Sequence, residues 1–286
     1  MTFRASKAGL AITLAAVLCV SLAASAAVVD AANGNPTFDR GFRLLYDLDF
    51  AQAHEVFAAW EAQHPTDPLG PVCDAAGILF SEFHRLGILE SQFFEDDKTF
   101  DNRKKLSPDP GVRDRFDAAL AQAEKLAGAR LQNDPKDRDA LFAMTLSAGL
   151  KADYAALIEK RNLASLTYTK QATRWAEQLL AVDPNCYDAY LATGISKYII
   201  GSMAAPVRWL LRLGGVSGDK EAGIAELQIT AERGRYLAPF ARILLAIAYV
   251  RDKDKPRARA LLASLRDEFP NNPLFAREIA RLDTGH

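Results

Sequence analysis

Beyond the first thirty or so positions, apolar residues recur at helical spacing in short blocks punctuated by Pro, Gly, Asp and Asn. Two blocks align with each other. The first runs over residues 41–65. It has Gly41 and Leu44, a turn at Asp49-Phe50, then Ala53, Phe57 and Trp60 on one helical face, and ends His64-Pro65-Thr66-Asp67. The second, residues 245–270, has Ala246 and Tyr249, a turn at Asp254, then Ala258, Leu262 and Leu265, and ends Phe269-Pro270-Asn271-Asn272. The spacing from turn to small residue, to large apolar residues, to Pro is the same in both. It predicts two helices joined by a tight turn. The small residue sits where the helices approach most closely, and the residues four and seven positions on fill the groove toward the next unit. The Pro stops the second helix, and the Asn or Asp beyond it starts the next.

The second-helix signature recurs as Ala123 and Ala127 before Asn133-Asp134-Pro135, and as Ala172, Ala176 and Leu179 before Val182-Asp183-Pro184. First helices are predicted over residues 71–85, 139–150, 187–198 and 239–250, with Tyr190 and Gly194 in an aromatic-to-glycine spacing. In this helix–turn–helix pattern the chain resembles the tetratricopeptide repeat (TPR) proteins. The resemblance implies an all-α fold: an α-solenoid of antiparallel helix pairs, about five degenerate units with insertions. Residues 34–286 form one domain, closed by a short capping helix over residues 275–282. Several units exceed the usual length of about 34 residues, and the excess lies in residues 88–110, 152–170 and 199–219. Residues 206–265 carry a weaker resemblance to the tetratricopeptide repeat 39 family, through residues 209–220, Gly223 and Leu227. It implies the same fold and a Gly-Asp corner, and no biological role.

Composition narrows the partners. Of 286 residues 49% are hydrophobic, and 35 basic against 36 acidic residues leave a net charge of −1. That is not the basic footprint of a nucleic-acid binder, so no nucleic-acid partner is expected. At the N-terminus, Arg4 and Lys7 precede an apolar run from Leu10, and Ala24-Ser25-Ala26 offers a small-x-small cleavage site. Residues 1–26 read as a signal peptide, which places the mature chain in a bacterial periplasm or outside the cell. The alternative is an uncleaved inner-membrane anchor, since residues 10–29 are about long enough to span. Leu18 before Cys19 is too bulky for lipoprotein processing. Cleavage leaves Cys73 and Cys186, two repeat units apart. Packed helices lie about 8–10 Å from each other, so the two thiols are expected to be unbonded and buried.

Candidate chemistry is sparse. His54, His64, His84 and His286 have no partners at metal-ligand spacing. Asp96, Asp97 and Asp101 lack the glycine and terminal glutamate of a calcium loop. Gly214-Gly215-x-x-Gly218 lacks the Lys-Ser/Thr of a phosphate loop. It reads instead as a capping turn, with Gly218 at positive φ and Asp219 starting a helix. No catalytic centre, cofactor or metal is expected. The functional candidate is the face lined by the first helices, where repeat proteins of this kind bind partners. Its inward positions are Phe38, Phe42, Tyr46, Phe142, Leu146, Ile195, Tyr198, Ile199, Ile243 and Ile247. They are aromatic and aliphatic rather than the Lys, Arg and Asn of a carboxylate clamp. Either an apolar partner lies there or the chain's own insertions cover it, and self-coverage is the favoured reading. Residues 199–215 are then expected to fold back with Trp209, Leu210 and Leu213 on the inner face. The sequence therefore reads as an exported scaffold that binds an unknown protein or peptide. One alternative is a carrier or enzyme with a pocket between that face and the insertions. The other is peripheral membrane association through Trp209-Leu210-Leu211-Arg212.

Overall fold

A computed structural model of the chain describes residues 35–89, 106–203, 209 and 217–284. The signal-peptide reading, the acidic stretch of residues 95–101, and Leu210, Leu211, Arg212, Leu213, Gly214 and Gly215 lie outside the described residues. Among the described residues eleven α-helices have both ends defined: α1 Pro36–Tyr46, α2 Phe50–Gln63, α3 Leu69–Arg85, α4 Pro110–Asn133, α5 Arg138–Asp153, α6 Asn162–Val182, α7 Tyr190–Ser202, α8 Lys220–Arg233, α9 Ala238–Arg251, α10 Lys255–Glu268 and α11 Pro273–Thr284. Each packs on the next, so α1 to α10 form five antiparallel pairs and α11 caps the last. The fold is all-α and TPR-like, an α-solenoid.

The punctuation residues act as their chemistry dictates. Helices α2, α4, α6 and α10 stop two residues before Pro65, Pro135, Pro184 and Pro270. Carboxylates of Asp49, Asp109, Asp137, Asp219 and Asp254 accept from backbone N–H groups of the first turns of α2, α4, α5, α8 and α10, satisfying donors that have no partner within the helix. Ala53, Ala123, Ala127, Ala176 and Ala258 are buried. Phe57 fills the groove beside Gly41, where a Cβ would lie 2.3 Å from its ring.

At the Gly-Asp corner the reason for the glycine differs from the expected one. Gly87 is the described glycine with positive φ, and Gly218 is not in that region. Gly218 is small because a Cβ there would stand 2.3 Å from the backbone nitrogen of Gly201. Gly194, Gly201 and Gly223 let the α7 and α8 backbones meet in the same way. Asp219 does cap α8, accepting from the Ala222 N–H at 2.9 Å.

The excursion of unit two is tied at its base. Glu82, buried in α3, accepts from Arg85 at 2.6 and 2.7 Å and from the Asp109 N–H at 3.0 Å, while Arg85 donates to the Ser107 carbonyl. The hydrogen bond from Arg85 holds the Glu82 carboxyl below its ordinary 4.5. The group therefore stabilises the fold fully above pH 4.5, and this contribution is lost as pH falls through the lower folded value. Glu82→Gln is expected to cost about 1–3 kcal/mol at pH 7 and progressively less in acid. Urea melts of both proteins at pH 7 and pH 3 check this; a pH-independent difference contradicts it.

Candidate partner-binding face

The inner face is built where the two ends of the solenoid meet. The short turn between α8 and α9, Arg235-Tyr236-Leu237, projects toward α1. The Tyr236 ring stacks on Phe42 at 5.0 Å between centroids and reaches Phe38 and Phe142 at 6.3 Å. Its hydroxyl accepts from the Asn35 N–H at 3.2 Å, and its carbonyl accepts from the Tyr46 hydroxyl at 2.9 Å. Asp39 pairs with Arg235 through two guanidinium nitrogens. Arg43 donates to the Glu268 carbonyl at 3.0 Å, the Asn272 amide donates to the Tyr46 carbonyl at 2.8 Å, and Tyr46 meets Phe269 at 5.3 Å. Phe80 of α3 touches Phe240 of α9 at 5.5 Å. Residues some two hundred positions apart in sequence thus close the superhelix upon itself.

A buried carboxylate sets the geometry of the turn. Asp188, in the 3-10 turn Tyr187–Ala189 before α7, accepts from the N–H groups of Tyr236 and Leu237 at 2.9–3.2 Å. Burial raises its pKa, and those backbone donors oppose the shift. Thr230 donates to the Tyr187 carbonyl at 2.9 Å. The turn that carries Tyr236 is therefore held by contacts to the approach to α7 that do not involve α1. Burial pushes the Tyr46 hydroxyl far above its ordinary value, so it stays a neutral donor to the Tyr236 carbonyl.

The predicted face divides in three. Phe38, Phe42 and Phe142 are buried in the seam around Tyr236. Tyr46, Leu146, Ile195 and Ile243 are half-buried against the same core, and Tyr198 and Ile247 are half-buried as well. Ile199 is 46% exposed. Trp209, expected to be covered, is 63% exposed. The cover over Phe38, Phe42 and Phe142 comes from Tyr236 and the closing ends, a source that periodicity did not reveal. The signal available in the sequence was an aromatic residue, Tyr236, in a short inter-unit turn. Trp209→Ala is accordingly expected to shift stability by no more than about 0.5 kcal/mol, and a thermal melt checks it. A loss of several kcal/mol would restore the buried role.

Cys73 and Cys186 are both free and buried, as the unit spacing requires. Burial pushes the Cys186 thiol up to about 11 and the Cys73 thiol well above its ordinary value, so both behave as small apolar groups. His84 is exposed at the end of α3 and lies 6.1 Å from the Phe50 ring. Among the described residues no three His, Cys, Asp or Glu converge as metal ligands. One surface depression is lined by Leu44, Asp47, Leu48, Asp49 and Gln52 at the α1–α2 turn and by Asn271 at the α10–α11 junction.

No protein-family profile matches the chain, and no curated protein is similar to it. Among solved structures, the chain is similar to a thermophilic TPR protein of Thermus thermophilus, with 16% identity and a TM-score of 0.43, over 86% of this chain and 98% of that one. The class here is an all-α fold of stacked helix pairs.

Proposed function

We propose that this chain is an exported scaffold that holds a protein or peptide partner against its inner face. The observation that carries the reading is the incomplete burial of apolar first-helix positions: Leu146, Ile195, Ile243 and Ile247 are half-buried, and Ile199 is exposed. Apolar surface left open in this way costs free energy in water, which is recovered when a partner covers it. Two buried carboxylates are engaged in structure: Glu82 ties unit two, and Asp188 holds the Tyr236 turn. Export rests on Arg4, Lys7, the run from Leu10 and Ala24-Ser25-Ala26.

Capture of partners by the tagged mature protein, compared with Ile195→Glu and Ile199→Glu variants that keep wild-type melting, tests the scaffold reading. A partner held by wild type and lost by both variants supports it; identical captures sink it. N-terminal sequencing of native material reading from Ala27 supports export, and an intact Met1 on membrane-bound protein overturns it. The exposure of Trp209 favours a second reading, peripheral membrane association. Flotation with liposomes that is lost in Trp209→Ala is the result that selects it.

A further inference from the structure

The geometry points to the end-to-end seam as a clasp. Helix α1 is a built-in ligand of the inner face, and a partner's amphipathic helix of the same pattern takes its place. This rests on the inner face being the partner site. Three observations carry it.

The first is what α1 presents. Phe38, Phe42 and Tyr46 stand at i, i+4 and i+8, so they share one helix face, and that face meets Tyr236. Asp39 stands one position along and pairs with Arg235. The acceptor surface is complementary to such a helix. It offers an aromatic ring for two aromatic side chains, a carbonyl for a hydroxyl, and a guanidinium for a carboxylate. A helix laid in a groove is read through anchors at this spacing.

The second is how the acceptor is held. The Arg235-Tyr236-Leu237 turn is fixed from behind by Asp188 and Leu237 is buried, so the surface does not depend on α1 for its shape.

The third is how α1 is held. Its hairpin partner α2 grips it through Phe57 beside Gly41, so α1 and α2 leave the seam together with their mutual packing intact. In a solenoid each unit touches its neighbours, and the stack bends by small rotations at every interface. A contact between first and last units is the one that such bending opens. Its ion pair is also the accessible part of the seam, with the Asp39 and Arg235 side chains 40% and 39% exposed. Opening uncovers Phe42, Phe142 and Tyr236 without unfolding a helix.

A labelled synthetic peptide of residues 35–47 is the probe, and the purified chain is the receptor. Intramolecular α1 has the advantage of a high effective concentration, so wild type takes the peptide weakly. Asp39→Arg in the chain sets two cations against each other and leaves the acceptor unchanged. Peptide affinity by fluorescence anisotropy is expected to rise at least ~10-fold, since a binding-competent state that was rarely populated becomes common. Hydrogen exchange at α1 should rise in parallel while helicity stays constant. The double variant Asp39→Arg/Arg235→Asp restores the pair with reversed charge and is expected to return affinity for the wild-type peptide to the wild-type level or below. It also shows that the arginine at position 39 is compatible with folding. If Asp39→Arg leaves α1 exchange at the wild-type rate, the clasp does not open and the inference is overturned. Equally, opened α1 with no gain in peptide binding overturns α1 as a ligand. None of these readouts uses a native partner, so failure of the clasp and failure of partner capture are told apart.

Discussion

Tyr236→Ala is expected to destabilise the protein by about 2–3 kcal/mol, below the range for a fully buried aromatic because the ring is half-buried. The ring's contacts with Phe38, Phe42 and Phe142 are lost together, and the Asn35 N–H loses its acceptor. The backbone carbonyl that serves Tyr46 remains, as do the bonds from Asp188 to the turn. The effect is more than a cavity. Open repeat arrays unfold as sums of local units and nearest-neighbour interfaces, whereas the seam couples unit one to unit five. Without Tyr236 the two ends should lose protection at different urea concentrations, where wild type loses both together. Urea titration followed by helicity and by hydrogen exchange measures both parts. Tyr236→Phe, which removes the hydroxyl alone, should cost only about 0.5–1.5 kcal/mol. A Tyr236→Ala loss below about 1 kcal/mol, with α1 exchange unchanged, would show that the seam contributes nothing to the fold.

The α7–α8 contact supports the other large effect. A Cβ at position 223 would lie 2.4 Å from the Tyr198 nitrogen and 2.8 Å from the Gly194 carbonyl oxygen. Both neighbours are backbone, so no side chain can swing aside to admit a methyl group. Gly223→Ala must push the helices apart along a contact that also includes Gly201 and Gly218, and overpacking of this kind costs about 3 kcal/mol. Gly128→Ala is the control. It sits within α4, where an added Cβ would meet nothing inside 4 Å, and removing a glycine from a helix interior is worth about 0.5–1 kcal/mol of added stability. Opposite signs for the same chemical change test whether close approach, rather than helix propensity, keeps glycine at position 223. If Gly223→Ala is neutral, the backbones are not in contact there.

Local structure was readable in the sequence because it is set by near neighbours. Ala53, Phe57 and Trp60, or Ala258, Leu262 and Leu265, repeat at helical spacing, and each block ends at its Pro. Five pairs and the cap follow from that register, as do the unbonded cysteines. The apolar character of the inner positions was equally visible in Phe38, Phe42 and Phe142. Their cover was not. Whether unit one reaches unit five depends on small rotations accumulated over four interfaces, and no window of sequence contains that sum. Gly218 shows the same limit at short range: a glycine required by positive φ and one required by a facing backbone are identical as letters, and only the distance to Gly201 separates them. Trp209 shows it at the surface, where an apolar residue predicted to be buried stands exposed. The sequence by itself determined which residues form helices and which face of each is apolar, because helical periodicity encodes both locally. The tertiary structure decided that the two ends meet at Tyr236, because closure of a superhelix is a property of all its interfaces together.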